Sequence, residues 1–172
     1  MPSIPSAVDQ CDRCASTLVP DATESPERLA EATGWHEFHT LVDQLTRDEV
    51  LEPGYFPEGW SVRDLIGHIG AWLAEGAQLF EQMRAGTYSE GELDVDAANA
   101  RFFELMRGLP LDTVHLQASS ARWRMIGAWA QLPEPTEAGR RWLAKAGGEH
   151  YAEHLPRLRY WADELTARRG AR

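Results

Sequence analysis

The sequence predicts an all-α protein, a four-helix bundle with short accessory helical segments. Two observations carry this prediction. The 172 residues include 23 Ala, 18 Leu and 17 Glu but 7 Val and 4 Ile, a composition that favours helix over strand. Apolar residues also recur at intervals of three and four over long stretches that Pro and Gly separate, as in amphipathic helices packed around one core.

The chain has the length of a single domain. We expect a flexible leader over residues 1–26, one helical domain over 27–168 and a tail over 169–172. The 17 basic and 27 acidic side chains leave a net charge of −10, which argues against nucleic acid as a partner. The sequence shows neither an apolar run that spans a bilayer nor a secretory signal, so we expect a cytoplasmic protein without membrane contact.

The first predicted helix begins after Ser25, which caps it, with Pro26 at the first helical position, and it extends to about Thr46. Its apolar side chains recur at helical spacing and face the core. They are Trp35, Phe38, Leu41, Val42 and Leu45. His36 lies nearly opposite this stripe, so we expect it to face solvent.

The second predicted helix follows a Pro- and Gly-rich connector over residues 52–60. Ser61 and Asp64 have the S-x-x-D spacing of a capping box, and Gly86 ends the helix after about six turns. Its inward positions are Val62, Leu65, Ile66, Ile69, Trp72, Leu73, Phe80 and Met83. His68 lies at the edge of this apolar stripe, where it can turn towards a neighbouring helix.

The third and fourth predicted helices are separated by Pro110. Asp94 or its neighbour caps the third, and Pro133 with Pro135 breaks the chain after the fourth. The inward positions are Val95, Ala98, Phe102, Met106 and Leu109 in the third helix, and Val114, Ala118, Ala121, Met125, Ala128 and Leu132 in the fourth. The last helical segment is predicted over residues 137–168.

Two histidines on this last helix, His150 and His154, are one turn apart and project from the same face. A helical wheel places them within an arc of roughly 80° together with apolar positions. The set is Gly147, His150, His154, Leu158, Trp161 and Leu165. Two imidazoles on a core face need partners for both ring nitrogens, and a shared divalent cation satisfies one nitrogen of each. The alternative is that they are core histidines with ordinary hydrogen bonds.

His68 is the candidate third ligand. Three imidazoles leave a divalent ion its full charge and open positions, a pattern of catalytic sites. The alternative is a boundary histidine that bonds a carbonyl group.

Three segments resemble a known family. They are residues 58–72 (EGWSVRDLIGHIGAW), 96–102 (DAANARF) and 150–154 (HYAEH). The chain resembles the DinB-like superfamily of four-helix-bundle metalloproteins over residues 35–166. It is most similar to the branch related to the N-terminal domain of mycothiol-dependent maleylpyruvate isomerase.

The resemblance implies a zinc or nickel site made by His68, His150 and His154. Maleylpyruvate isomerase has a Glu and a His in the last helix where this chain has two histidines, so we do not carry over the isomerase reaction. We expect a metal-dependent S-transferase that adds mycothiol or a similar small thiol to an electrophilic small molecule, with a role in detoxification.

Two other functions stay open. One is a metal-dependent hydrolase or resistance protein that uses metal-bound water, with Glu153 as the candidate general base. The other is a non-catalytic helical module for dimerisation or partner binding, and a homodimer is possible in either case.

The protein's own thiols, Cys11 and Cys14, lie in the leader, so the sulfur of a transfer reaction comes from outside. We expect both to be reduced and dispensable. A zinc site that joins them to His36 and His39 is the alternative, although the spacing differs from that of zinc fingers.

Five further positions carry expectations. Asn99 either makes a structural hydrogen bond or orients the substrate. Arg122 and Arg124 are expected to face solvent, as is His115. Pro156 removes a backbone hydrogen bond and should kink the last helix beside the metal.

Overall fold

The computed structural model describes residues 25–56, 59–91 and 93–171. Within these ranges the chain forms seven α-helices and one π-helical turn, and no strand. The α-helices are α1 (Pro26–Val42), α2 (Arg47–Leu51), α3 (Val62–Ala85), α4 (Val95–Met106), α5 (Leu111–Ala130), α6 (Glu137–Leu143) and α7 (Glu149–Gly170). The π-helical turn covers Ala144–Gly148 and joins α6 to α7. The predicted all-α bundle is therefore confirmed.

Helix α3 lies at the centre of the bundle. It packs along α5 on one side and contacts the π-helical turn and α7 on another, while α1 covers the turn and α7. At Gly70 a Cβ atom would lie 2.8 Å from the Cα of Ala118, so α3 and α5 approach backbone to backbone. The apolar faces of these elements bury one large core, and α4 adds a smaller cluster against α3 around Trp72 and Phe102.

The helix starts follow the predicted capping signals. The Ser25 hydroxyl accepts the backbone N–H of Arg28 at 3.3 Å, and the Asp64 carboxylate accepts the N–H of Ser61 at 2.9 Å. Gly86 ends α3 with a φ of 69°, a left-handed conformation that glycine adopts without strain. These signals act over three residues, which is why the sequence alone shows them.

The first helix is shorter than predicted. It ends at Val42, and residues 47–51 form the separate helix α2. Thr46 starts α2 because its hydroxyl accepts the N–H of Glu49 at 3.3 Å, while the Glu49 carboxylate accepts the Thr46 N–H at 2.7 Å. Val95 is also not inward: it is 50% exposed at the first position of α4.

The prediction that Arg122 faces solvent is wrong. Its guanidinium donates to both carboxylate oxygens of the fully buried Glu31, at 2.6 and 3.0 Å, and lies over the ring of Trp35. Arg28 donates to the same carboxylate at 2.8 Å. Periodicity along α5 cannot reveal a buried acid on α1, and such an acid requires a cation. Arg124 is exposed, as predicted.

The last helical segment is not a continuous α-helix. In the π-helical turn the N–H of Glu149 donates to the carbonyl of Ala144, five residues back, which adds one residue to the turn. Gly147 and Gly148 lie against α1: a Cβ would be 2.7 Å from the Glu31 side chain at the first and 2.9 Å from that of Ala30 at the second. Gly147, predicted on the histidine face, therefore faces α1.

Helix α7 contains Pro156 and continues to Gly170, and the kink expected at Pro156 stays a prediction. Most of the predicted leader, including Cys11 and Cys14, lies outside the described residues, so the leader and the Cys-His zinc alternative stay predictions. Among the helices that the structure describes, none is both long and apolar enough to cross a membrane.

Candidate metal centre

The structure brings together the three histidines that the sequence singled out. His68 comes from the first half of α3, and His150 and His154 from the start of α7. The Nε2 atom of His150 is 2.9 Å from Nε2 of His68 and 3.1 Å from Nε2 of His154. One ring nitrogen of each histidine lies within 4.8 Å of the other two. The three side chains therefore converge on one point between α3 and α7.

These nitrogens could hold a divalent metal ion. With Zn–N bonds of about 2.0–2.1 Å, two nitrogens on one ion are roughly 2.9–3.4 Å apart, depending on the angle at the metal. The two separations that involve Nε2 of His150 lie in this range. Without an ion the contacts conflict, because Nε2 of His150 faces two neighbours and has at most one proton to donate. A cation instead accepts a lone pair from every ring.

Burial keeps these rings neutral. Burial and, to a smaller extent, the neighbouring His154 lower the pKa of His68 to about 3. Burial also lowers the pKa of His150 to about 2, with added repulsion from the other two rings. The pKa of His154 is lowered by burial as well, with opposition from the charge of Glu153. Neutral imidazole is the form that binds metal ions, so the site is ready for a ligand at pH 7.

Aromatic side chains hold the rings in place. Trp60 meets the His68 ring edge-on with 5.7 Å between centroids, Phe56 meets His154 at 6.2 Å and Trp72 meets His150 at 6.2 Å. The Nδ1 atom of His68 is buried and has no hydrogen-bond partner among the described residues, and the His150 ring has the backbone of Ala146, one turn earlier, as its neighbour. Packing, and not a supporting carboxylate, therefore sets the orientation of these two rings.

The histidines form part of the wall of a cavity of about 770 Å³. This volume is in the range of small-molecule sites, and the aromatic wall is also typical of them. The aromatic residues are Phe56, Trp60, Trp72, Tyr88 and Trp142, and the charged ones are Glu90, Arg141, Lys145 and Glu153. The three rings therefore face a space that a small molecule can enter.

An uncharacterised protein from Escherichia coli UTI89 has a similar fold. Its crystal structure matches with a TM-score of 0.68 and 14% sequence identity, over 81% of this chain and 92% of that one. At this identity the similarity concerns the fold alone. No protein-family model matches the chain, and neither does any curated protein.

Asn99 lies on the cavity wall and makes a structural hydrogen bond. Its side-chain oxygen accepts the indole N–H of Trp72 at 2.9 Å. The bond joins α4 to α3 and holds the tryptophan that contacts His150. The sequence left open whether Asn99 is structural or orients a substrate. The first role is thus observed, and the second stays a prediction.

Glu153 is exposed on the cavity wall, next to His154 in sequence. It acts on His154 through its charge, which is compatible with the general-base role proposed for it but does not test that role. Of the remaining histidines, His36 is exposed as predicted. His39 and His115 lie near each other, with 6.3 Å between ring centroids, and not at the cavity.

Sequence reasoning missed Arg141, Trp142 and Lys145 as cavity residues. A regular α-helix through residues 137–168 turns Lys145 away from His150, and the inserted residue of the π-helical turn brings it back. The Gly147-Gly148 pair was the one local signal for this departure, because glycine pairs weaken a helix.

Proposed function

We propose that the protein is a metal-dependent S-transferase that joins a small cellular thiol to an electrophilic small molecule. One observation supports this most: three neutral imidazoles, one buried and two half-buried, converge at the wall of a cavity of small-molecule size. The proposal includes membership of the DinB-like superfamily, on the residues of the three segments named above. It also includes mycothiol or a similar thiol as co-substrate and a cytoplasmic location, where small thiols are kept reduced.

His68, His150 and His154 would hold a Zn²⁺ or Ni²⁺ ion through their ring nitrogens. In such a site a divalent ion lowers the pKa of a bound thiol, so that the nucleophilic thiolate exists at neutral pH. The chain's own contribution is positional. Neutral ligands leave the positive charge of the ion uncompensated, and the aromatic walls would contact an apolar substrate.

The overall reaction would form a bond between the thiol sulfur and the electrophilic carbon. The leaving group departs with the bonding electron pair, and the thiol proton passes to solvent. No oxidant or reductant is required.

The test begins with metal content. Elemental analysis of the purified protein should find up to one zinc or nickel per chain, and His68→Ala and His150→Ala should lose it. His36→Ala is the matched control, because His36 is an exposed histidine on α1. Loss of metal in the control as well, or no metal binding by the parent protein after incubation with Zn²⁺, would contradict the proposal.

The second step tests thiol transfer. The metal-loaded protein is incubated with 1-chloro-2,4-dinitrobenzene, with and without mycothiol, and the thioether is measured by its absorbance. We expect product above the uncatalysed rate in the presence of thiol, and no such product from His150→Ala. Consumption of the electrophile at the same rate without thiol would instead indicate the hydrolase.

The hydrolase is the second candidate because Glu153 faces the cavity beside His154. In that reaction water replaces the thiol and Glu153 accepts its proton. Glu153→Gln should then abolish the thiol-independent reaction and leave metal content unchanged. The same substitution should have little effect on thiol transfer.

The non-catalytic alternative is supported by exposed apolar side chains on α5. Leu116 and Trp123 are seven residues apart, hence on one face of the helix, and are 68% and 72% exposed. A homodimer that buries this face would be detected by light scattering, and Trp123→Glu should then give a monomer.

A further inference from the structure

The π-helical turn places a cation at the metal-site cavity. In a regular α-helix, residues five positions apart differ by roughly 140° around the axis after one full turn, so Lys145 would point away from His150. Here the bond from the Glu149 N–H to the Ala144 carbonyl makes the turn five residues long. Lys145 therefore lies one turn before His150 on the same face, and it lines the same cavity.

Lys145 differs from the other cavity cation in being unpaired. Arg141 also lines the cavity, but its guanidinium forms an ion pair with Glu90. Lys145, the single lysine of the chain, has no ion pair or hydrogen bond within residues 25–56, 59–91 and 93–171. The other unpaired charge at the cavity is Glu153. It lies eight residues further along, roughly 10–12 Å away along the helix, too far for a direct pair with Lys145.

The cavity wall carries both unpaired charges close to the histidines. Lys145 comes one turn before His150, Glu153 lies between His150 and His154 in the chain, and tryptophan rings line the same cavity. An ammonium group beside an apolar wall lacks the partner that a bound carboxylate would supply. The aromatic walls fit a flat apolar body.

We propose that this cavity binds a small molecule with a flat apolar body and a carboxylate, and that Lys145 binds the carboxylate. This assigns a substrate class to the site and rests on the proposed use of the cavity as a substrate site. It does not depend on thiol transfer. The carboxylate would then bind about one helical turn from the part of the molecule that faces His150.

The test compares two probes of nearly the same shape, the anionic 2-naphthylacetate and the neutral 2-naphthylacetamide. Their binding is measured by titration calorimetry at low salt, with metal-free protein and with zinc-loaded protein. The variants are Lys145→Met, which keeps an unbranched side chain without the ammonium group, and Lys145→Arg, which keeps the charge. Arg169→Met removes an exposed cation far from the cavity and controls for net charge.

We expect the metal-free parent protein to bind the acetate more tightly than the amide. Lys145→Met should weaken acetate binding roughly fivefold and leave amide binding unchanged, because Lys145 is exposed to solvent and its pairing energy is screened. Lys145→Arg and Arg169→Met should retain the preference.

Two outcomes would overturn the inference. In one, the preference for the acetate requires zinc and survives in Lys145→Met, which places the carboxylate on the metal. In the other, neither probe binds to either form of the parent protein. Titration of the same samples with Zn²⁺ alone shows whether the metal site itself is formed. Both outcomes can therefore be told apart from a protein that does not bind metal. A protein that binds zinc but shows no acetate preference refutes only the assignment to Lys145.

Discussion

The buried histidines should make the metal-free protein sensitive to mild acid. The pKa values of His68 and His150, lowered to about 3 and about 2, lie well below the ordinary 6.5 that the rings regain in the unfolded chain. Between these limits the unfolded state binds more protons than the folded state, so the free energy of unfolding falls as the pH falls. The stability from these neutral rings is complete above pH 6.5 and is lost towards pH 3.

The size of the effect follows from the pKa difference. At pH 5 the unfolded rings are about 1.5 units below their pKa, and at about 1.4 kcal/mol per unit each ring costs about 2 kcal/mol. His68 and His150 together should therefore remove about 4 kcal/mol between pH 8 and pH 5. The carboxylates with lowered pKa values, such as Glu49 and Asp112, lose their contributions only below their ordinary pKa values of 4.5 and 3.8.

The assay is urea unfolding of chelator-treated protein at pH 8, 6.5 and 5. His68→Ala should lose about 2 kcal/mol less than the parent protein over this range, because one buried ring is gone. His36→Ala is the control and should lose as much as the parent, since His36 is exposed. His39, whose pKa burial also lowers, contributes equally to all three proteins and cancels.

Equal losses in the parent protein and in His68→Ala would refute this reasoning. They would mean that the ring takes up a proton in the folded state as easily as in water, and hence that the three histidines do not share a buried site.

Three other substitutions test the packing around the site. Gly70→Ala should destabilise the protein by about 1–3 kcal/mol, because the new Cβ would lie 2.8 Å from the α5 backbone. The control is Gly127→Ala on α5, whose Cβ would meet nothing within 4 Å, and this substitution should be neutral or stabilising. Glu31→Gln should lower the free energy of unfolding, measured in urea, by about 3–5 kcal/mol, because Arg122 would lose its buried anionic partner. The control is the double variant Glu31→Leu with Arg122→Met, which removes both charges. If it is as unstable as Glu31→Gln, the loss does not come from an unpaired charge. Asn99→Ala should lower stability by about 1 kcal/mol through the lost indole hydrogen bond, and unchanged calorimetric affinity for Zn²⁺ would limit its role to structure.

Much of the site could be predicted because its signals are short-range. The spacing of His150 and His154 places both on one helix face whatever the rest of the chain does. The role of His68 was harder to predict. Its position at the edge of the apolar stripe of α3 indicates only that its side chain can reach a neighbouring helix. Its distance of 2.9 Å from His150 depends on how α3 and α7 pack, which no local pattern encodes.

The sequence by itself determined the helix ends that rest on local hydrogen bonds, and it determined that two histidines lie one turn apart on the last helix. The helix ends are those at Ser25, Ser61, Gly86 and Asp94. Only the tertiary structure decided which cations are buried or face the cavity. Arg122 is buried because it forms an ion pair with the carboxylate of Glu31 on α1. Lys145 lines the cavity because the π-helical turn, which packs against α1, contains one residue more than an α-helical turn. Both results depend on groups that are far apart in the chain. These groups interact only after the helices have packed, so no local sequence pattern predicts the interaction.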